Sequence, residues 1–449
     1  MDIQPKDIIK NFTNKNAKLV NERPDIAQSQ AGTENESSKD YTGRVVFEFF
    51  QNAIDKAESN IWLELTENEF IISNDGEAFS IEEQSIEKYK KSDFHALNTI
   101  HNSNKRAGES VGNKGVGFKS CWNVSNHVTI ESIKDEKVWG FDLFNPVTVK
   151  NFYENENHNI REALKKAGEG NVPSFYFPKY FASDKNNLCD GRKTKVTIYL
   201  IDSKAREEIE KELDDFEKTK FFFLNQLKNK QDKNITIHIR GNSISSKDKN
   251  WNIIDLKSNH KFHNELEDLM ESRKLESYAN IPFDPNIAIA FPFDNIEKVD
   301  SRFYTYLPTK VECGFNVLIH ADFALDNARV SIPDNKYNNK ILEISAKMLV
   351  SELLHNDKYH NYQSFSKFLI PKHRDDKFSK LVWNELIKDD NLTSILQKVF
   401  TKDRIFPEKS YRLIFDVISN FTIPRGYGEW KDEYYNKVSQ LSHINPNSF

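Results

Sequence analysis

The feature that most constrains this chain is one helix-forming segment, RVVFEFFQNAIDKA, at residues 44–57. Apolar side chains wrap most of its circumference, so the helix is predicted to be buried on nearly every side. Glu48, Asn52 and Asp55 fall at i, i+4 and i+7, which places all three on one narrow polar face. A carboxylate buried among phenylalanines needs a partner or a chemical task. Taken alone, the stripe fits either a polar seam facing a water-filled groove or a functional site.

Length and composition bound the class of protein. At 449 residues the chain exceeds the size at which a single core stops growing, so two or three domains are expected. A charged fraction of 29% and a net charge of −5 are typical of a soluble globular protein and give no support for a nucleic-acid surface. The three cysteines lie far apart without metal-type spacing, which indicates a reducing, cytoplasmic compartment. No apolar run approaches the roughly 18 residues of a membrane span. The first residues also lack a signal-peptide core.

Downstream of the helix, the sequence predicts strands that form a sheet beside it. Alternating apolar residues predict two hairpins and a further strand, at 61–65 with 69–73, 127–133 with 138–144, and 195–200. The polar segments 28–41 and 84–111 lack such alternation and are predicted to be mobile, the second as a lid over a site.

A glycine-rich segment, VGNKGVGFKS at 111–120, lies between the two hairpins. It nearly spells a P-loop, but Phe118 stands where that motif needs its lysine, and the third glycine of a dinucleotide fingerprint is absent. Gly112, Gly115 and Gly117 still provide backbone that can adopt φ > 0 and bring bare N–H groups close to an anion. A turn that needs only tight packing would show the same glycines.

Together these segments resemble the GHKL superfamily of ATPases, whose Bergerat fold is shared by heat-shock chaperones of the ninety-kilodalton class, type II topoisomerase ATPase subunits, mismatch-repair ATPases and sensor histidine kinases. The helix stripe resembles the family's N-box, residues 74–79 its second motif and residues 112–117 its third, in the family's order. The resemblance implies that residues 1–202 form an α/β sandwich that binds ATP and Mg²⁺. It further implies that Glu48 activates the water attacking the γ-phosphate and that Asn52 binds Mg²⁺.

The same resemblance assigns further residues to the nucleotide pocket. They are Asp55, Gly76, Gly112, Lys114, Gly115, Val116, Gly117, Phe118, Lys119 and Thr194. Thr194 resembles the threonine of the Gly-Thr pair that ends the adenine pocket, although Lys193 replaces the glycine. The second motif departs from the family's Asp-x-Gly-x-Gly, because Asn74 holds the aspartate's place, Asp75 follows one residue later and Ala78 replaces the second glycine. Successive strand residues face opposite sides of a sheet, so only one of Asn74 and Asp75 can reach adenine. Both stay candidates.

Residues 203–335 predict a second α+β unit, and residues 336–449 predict a helical C-terminal region. Strands are predicted at 234–240, 286–293 and 315–323. The region from 286 onward resembles the one that follows the ATPase module in sacsin-like proteins, including bacterial ones, which implies a transducer-like or middle-like domain. In many GHKL proteins the second domain lends a cation to the γ-phosphate, and Lys310, in a predicted turn, and Arg329 are the candidates for that catalytic role. A purely structural role for either residue stays open.

The function implied by this resemblance is an ATP-hydrolysing conformational switch. An ATP-dependent homodimer and an unidentified protein partner or client are expected, in a chaperone-like, defence or quality-control role. The alternative is a nucleotide-sensing interaction protein that does not hydrolyse ATP, which the intact Glu48 disfavours. A sensor histidine kinase is disfavoured because the first histidine, His95, follows the N-box. A topoisomerase or mismatch-repair enzyme would need a cleavage domain for which the chain has no room.

Overall fold

The chain folds into two compact units, Met1–Asp248 and Lys249–Phe449. The computed structural model describes residues 4–40, 42–82, 92–98, 117–145, 158–168, 170–274, 281–293, 299–326, 330–360, 368 and 376–389. Each unit combines helices with one mixed sheet, which confirms the predicted α+β class. Across the described ranges, no helix has the length and apolar character that crossing a bilayer requires.

The first unit is built on an eight-stranded sheet in the order β5-β4-β3-β6-β2-β1-β7-β8. Its strands are β1 Asn60–Leu65, β2 Glu69–Asn74, β3 Ser125–Lys134, β4 Lys137–Phe144, β5 Lys179–Ala182, β6 Thr194–Leu200, β7 Thr236–Ile239 and β8 Asn242–Ser245. Its helices are α1 Pro5–Glu22, α2 Pro24–Asp40, α3 Val45–Lys56, α4 Asp93–Leu97, α5 His158–Ala167 and α6 Ser203–Lys218. Neighbouring strands run antiparallel except β1 and β7, which are parallel. The predicted hairpins and the strand at 195–200 are confirmed.

One face of this sheet is apolar and the other is polar, as alternation along each strand requires. Ile130 of β3 packs in one apolar cluster with Ile8 of α1 and Phe94 of α4, so helices cover this inner face. On the outer face, Lys195 Nζ lies 3.0 Å from Glu131 Oε2. The inner face therefore carries the core of the unit.

Helix α3 is the buried helix that the sequence predicts, with Val45, Val46, Phe47, Phe49, Phe50, Ala53 and Ile54 all buried. The Phe50 ring lies 4.8 Å from that of Phe216 in α6. The Phe49 ring lies 4.6 Å from that of Phe118, in the 3-10 helix Gly117–Asn123. Aromatic pairs of this kind contribute about 0.5–1.5 kcal/mol beyond the burial of their area. Helix α3 is thus held between α6 and the segment that ends the glycine-rich motif.

The prediction of a mobile loop at 28–41 is wrong, because helix α2 continues to Asp40. Ala31 is buried, and the Glu34 carboxylate accepts hydrogen bonds from the Ser174 hydroxyl and, at 3.0 Å, from the Ser174 backbone N–H. These partners come from a distant part of the chain, so the local polar composition could not reveal them. Of the predicted lid at 84–111, only residues 92–98 are described, and they contain α4.

The second unit is built on a five-stranded sheet in the order β12-β11-β13-β10-β9. Its strands are β9 Trp251–Asp255, β10 Ile287–Pro292, β11 Arg302–Thr305, β12 Leu307–Glu312 and β13 Leu318–Ala321. Its helices are α7 His263–Lys274, α8 Lys336–His355 and α9 Lys377–Lys388. Ile289 and Ile319 from the sheet share one buried core with Ile344 and Leu349 of α8. The strands predicted at 286–293 and 315–323 appear as β10 and β13, the latter shorter than predicted.

The division between the units at 248 and 249 differs from the domain boundary expected at 202 and 203. The physical reason is that β7 continues the first sheet, with Ile237 in register with Ile61 of β1. The boundary expected at 335 and 336 does not separate two cores either, because α8 packs in the same core as β10.

Candidate functional site

The polar stripe of α3 centres on Glu48, whose side chain is buried with 3% of the residue exposed. Its Oε1 lies 3.8 Å from Arg44 Nε and accepts a hydrogen bond from Gln51 Nε2 at 3.3 Å. Its Oε2 faces Gly117, where an added β-carbon would lie 1.9 Å from that oxygen. The last glycine of the third motif is therefore in van der Waals contact with the carboxylate of the first motif.

Asn52 lies one turn after Glu48 and is half-buried. Its Nδ2 donates to the backbone oxygen of Glu48 at 3.1 Å, which fixes the side chain along the helix. Asp55 completes the stripe and is also half-buried. Its charge acts on Lys230, whose Nζ donates to Ala57 O at 2.6 Å and whose pKa is lowered by burial. The predicted co-location of the three polar residues on one face of α3 is confirmed.

Three buried polar residues form one row across the inner face of the sheet. Asn74 of β2 is in register with Thr194 of β6, which is in register with Ser132 of β3. The Phe79 backbone N–H donates to both hydroxyls, at 2.8 Å to Ser132 Oγ and 3.0 Å to Thr194 Oγ1. Ser132 Oγ also donates to Lys193 O at 3.0 Å. This row connects the second motif to strand β6, which begins at Thr194, the threonine of the expected Gly-Thr pair.

Asp75 has a different environment from Asn74. Asp75 Oδ1 accepts hydrogen bonds from the backbone N–H groups of Glu58 and Ser59, at 3.1 and 3.0 Å, and Oδ2 accepts from Asn60 Nδ2 at 2.9 Å. Although burial raises the pKa of Asp75, these donors outweigh burial and lower that pKa below its usual value. Asp75 thus ties the second motif to the turn between α3 and β1, while Asn74 lies in the row on the inner face.

Gly76 is required by the same turn. A β-carbon at this position would lie 1.9 Å from Lys56 O and 2.5 Å from Glu58 N. Both atoms belong to the backbone at the end of α3, so neither can move away cheaply. Gly76 therefore fixes the distance between the second motif and the helix that carries Glu48.

Lys119 follows Gly117 in the 3-10 helix and is buried. Its Nζ lies 5.3 Å from the centre of the Phe175 ring and has no hydrogen-bond acceptor among the described residues. Burial lowers the pKa of Lys119, and the charge of Glu34 on α2 partly offsets this effect. Burial likewise raises the pKa of Glu34, against the effect of Lys119. The two buried side chains thus influence each other's ionisation.

Several sequence candidates cannot be placed in this geometry. Gly112, Lys114, Gly115, Val116 and Arg329 lie outside the described residues.

Lys310 belongs to the second unit. It lies in strand β12 and not in the predicted turn. Its backbone N–H donates to Val330 O at 3.0 Å, which stabilises the extended backbone at this position. Its side chain is exposed.

The residues fit a phosphate-bound Mg²⁺ ion better than a cage made by the protein alone. Among the residues that the structure describes, no group of three His, Cys, Asp or Glu side chains could hold a metal ion. Mg²⁺ is commonly held by one or two protein oxygens together with substrate phosphates and water. Asn52 Oδ1, from the turn of α3 that follows Glu48, is an oxygen of that kind.

Three residues that contribute to this geometry were not identified from the sequence. Ser132 lies within a predicted strand. Only the register of the sheet shows that it lies in the same row as Asn74. Arg44 was counted as the start of the helix and not as a partner of Glu48. Glu212 falls between Ile209 and Phe216 on the buried stripe of α6. A glutamate on an otherwise apolar stripe is the sequence signal that could have identified Glu212.

Comparison with models of known protein families gives no match, and comparison with curated protein sequences gives none either.

Proposed function

We propose that the first unit is a Bergerat-fold ATPase module that binds ATP with Mg²⁺ and hydrolyses it slowly. The observation that carries the proposal is the contact between Glu48 Oε2 and Gly117. It brings a buried carboxylate against the end of a glycine-rich segment whose backbone suits an anion. A helical layer on one face of the antiparallel part of the sheet supports the same fold assignment.

In this proposal the row on the inner face receives the adenine. The Asn74 amide has an acceptor oxygen and two donor hydrogens, so it can pair with the edge of a base. From the described residues, its Oδ1 accepts one long hydrogen bond, from Gly76 N at 3.3 Å. The donors to Asp75 come from the turn after α3 and from Asn60 at the start of β1, which supports Asn74 as the residue that contacts adenine.

The hydrolytic step is assigned to Glu48 as general base. Its carboxylate is held by Arg44 and Gln51 at Oε1, which leaves Oε2 oriented toward the backbone of Gly117. A water beside Oε2 can then lose a proton to the carboxylate as its oxygen bonds to the γ-phosphorus. The bond from that phosphorus to the bridging oxygen breaks, and ADP leaves. Bound Mg²⁺ would neutralise charge on the phosphate oxygens. We assign Asn52 to bind this Mg²⁺ ion.

The experiment compares ATP binding and turnover in the wild type, Glu48→Gln and Glu48→Ala. We expect both variants to bind ATP with near wild-type affinity while turnover falls by about 10² or more, the scale of a general base. Glu58→Gln is a matched control, because Glu58 is exposed and contributes a backbone N–H to the turn. Equal turnover in the wild type and both Glu48 variants would remove Glu48 from the mechanism.

A second candidate is a nucleotide sensor that does not hydrolyse ATP. The ion pair between Glu48 and Arg44 favours it, since a buried carboxylate with a cation at 3.8 Å already has a structural partner. ATP binding in the wild type without turnover above that of Glu48→Ala would favour the sensor.

We further propose that ATP controls a conformational switch that acts on a protein partner or client, with an ATP-dependent homodimer as one form. Lys310 and Arg329 remain the proposed cations for the γ-phosphate. Substituting each by alanine and comparing binding of ATP with binding of ADP tests that assignment. Measuring mass in solution with a non-hydrolysable ATP analogue tests the dimer.

A further inference from the structure

The N-terminal end of α3 receives a carboxylate from another helix. The residue that precedes α3 is Arg44, and its side chain makes no capping hydrogen bond. Instead, Glu212 Oε2, from α6, accepts a hydrogen bond from Val46 N at 2.7 Å, and the carboxylate also interacts with Val45 N. Free N–H groups and the helix dipole both favour a negative charge at this point. Glu212 therefore caps α3 from outside the helix.

The charge of Arg44 acts on two buried carboxylates. Its Nε is 3.8 Å from Glu48 Oε1, and its charge also acts on Glu212. The guanidinium carbon also lies over the Phe47 ring, 5.6 Å from its centre. The charge of Arg44 therefore acts both on Glu212 of α6 and on the proposed general base.

We propose that Glu212 is a positioning residue for Glu48, acting through Arg44 and through the first turn of α3. This inference rests on the proposed ATPase function. Glu212 holds the backbone at Val46, two residues before Glu48, and shares Arg44 with it. Because a misplaced catalytic group costs rate more than substrate affinity, loss of Glu212 should lower kcat and leave ATP binding almost unchanged.

The ionisation of Glu212 gives a second readout. Burial raises the pKa of Glu212 to about 7, against the lowering effects of the Val46 and Val45 N–H groups and Arg44. Glu208, one turn earlier on α6, raises it further. Two ion pairs involve other charged groups of α6, Arg206 with Glu210 and Asp214 with Arg240 from the β7–β8 turn. An ionised acceptor makes the stronger hydrogen bonds to the helix start, so positioning should improve as pH rises through 7.

The experiment measures kcat, KM and ATP affinity from pH 6 to 8 for the wild type, Glu212→Ala and Glu212→Gln. We expect Glu212→Ala to lower kcat about 10-fold at pH 8 while KM and Kd stay within about twofold. Glu212→Gln keeps an oxygen for Val46 N–H, so it should fold and retain the kcat that the wild type shows at pH 6. The ratio of wild-type to Glu212→Gln kcat should then rise about threefold between pH 6 and 8.

Glu207→Ala is the matched control, an exposed carboxylate on the same helix, and should behave as the wild type. Amide hydrogen exchange at Val45 and Val46 needs no turnover and should speed up in Glu212→Ala. Two outcomes would show that the positioning role is wrong while the ATPase proposal stands, provided that the wild type hydrolyses ATP. In the first, Glu212→Ala has a kcat within about twofold of the wild-type value. In the second, Glu212→Ala loses as much ATP affinity as kcat. If the wild type shows no turnover, the ATPase proposal fails and this inference fails with it.

Discussion

Glu48 Oε2 occupies the space in which Gly117 would carry a β-carbon, 1.9 Å away. The two residues are far apart in sequence, and their contact joins the polar face of α3 to the end of the glycine-rich segment. A side chain at 117 would have to displace either the carboxylate or the start of the 3-10 helix. The glycine at this position is explained by that contact alone, whatever conformation the segment before it adopts.

Gly117→Ala should therefore displace the Glu48 carboxylate and lower both stability and turnover. We expect a loss of about 1–3 kcal/mol in the free energy of unfolding, the usual cost of overpacking, measured by urea denaturation. Gly32→Ala is the matched control, because Gly32 lies in α2 with no atom within 4 Å of its added β-carbon. It should be neutral or stabilising by up to about 1 kcal/mol. Equal effects of the two substitutions would contradict the contact.

Asn74 and Asp75 should separate into a binding role and a structural role. Asp75→Ala removes three hydrogen bonds from the turn after α3, so we expect it to destabilise the first unit by about 1–3 kcal/mol. Asn74→Ala should instead weaken ATP binding and reduce the preference for ATP over GTP. Calorimetric titration of both nucleotides into both variants measures this. An Asp75 variant that keeps wild-type stability but loses base selectivity would reverse the assignment.

The pH dependence of stability should contain a contribution from Glu212. Its pKa is raised from 4.5 to about 7, so the folded chain retains a proton that the unfolded chain has lost between these values. The stabilisation of the folded state by the raised pKa of Glu212 is fully present below pH 4.5 and is lost as pH rises through 7. At most it is on the order of 3 kcal/mol. Urea denaturation from pH 5 to 8 should show that the stability of the wild type falls relative to that of Glu212→Gln. A constant difference would exclude this linkage.

Glu34 and Lys119 are both buried and influence each other's ionisation, so their effects on stability should be coupled. Removing one partner leaves the other charge buried alone, which typically costs about 3–5 kcal/mol. Glu34→Gln and Lys119→Met should therefore each destabilise the first unit, and the double variant should lose much less than the sum. Urea denaturation of all four proteins completes the cycle. Additive losses would show that the two charges do not stabilise each other.

The sequence predicted the elements whose signals are local. The apolar circumference of α3, the alternation in β1 to β4 and the stripe of Glu48, Asn52 and Asp55 all follow from spacing within one segment. Those parts could be placed before the fold was known.

Features that depend on long-range partners could not be predicted in this way. Helix α2 is polar in sequence, and its place is fixed by Ser174, which is 140 residues from Glu34. Ser132 lies in the same row as Asn74 only because β6 pairs with both of their strands. Glu212 reaches Val46 across 166 residues, and no pattern within α6 indicates which helix it will cap. Register and crossover, rather than composition, decide these contacts.

The parallel pairing of β1 with β7 also has a consequence for the order in which the unit forms during synthesis. Ile61 is among the early residues to leave the ribosome, but its partner Ile237 follows much later. At typical elongation rates of about 5–20 residues per second, the segment from 201 to 239 takes roughly 2–8 s to emerge. Throughout that interval β1, the first strand of the hairpin that ends at Asn74, has one unpaired edge, which other chains can join. Nascent chains stalled before residue 236 should therefore be more prone to intermolecular association than chains stalled after residue 245.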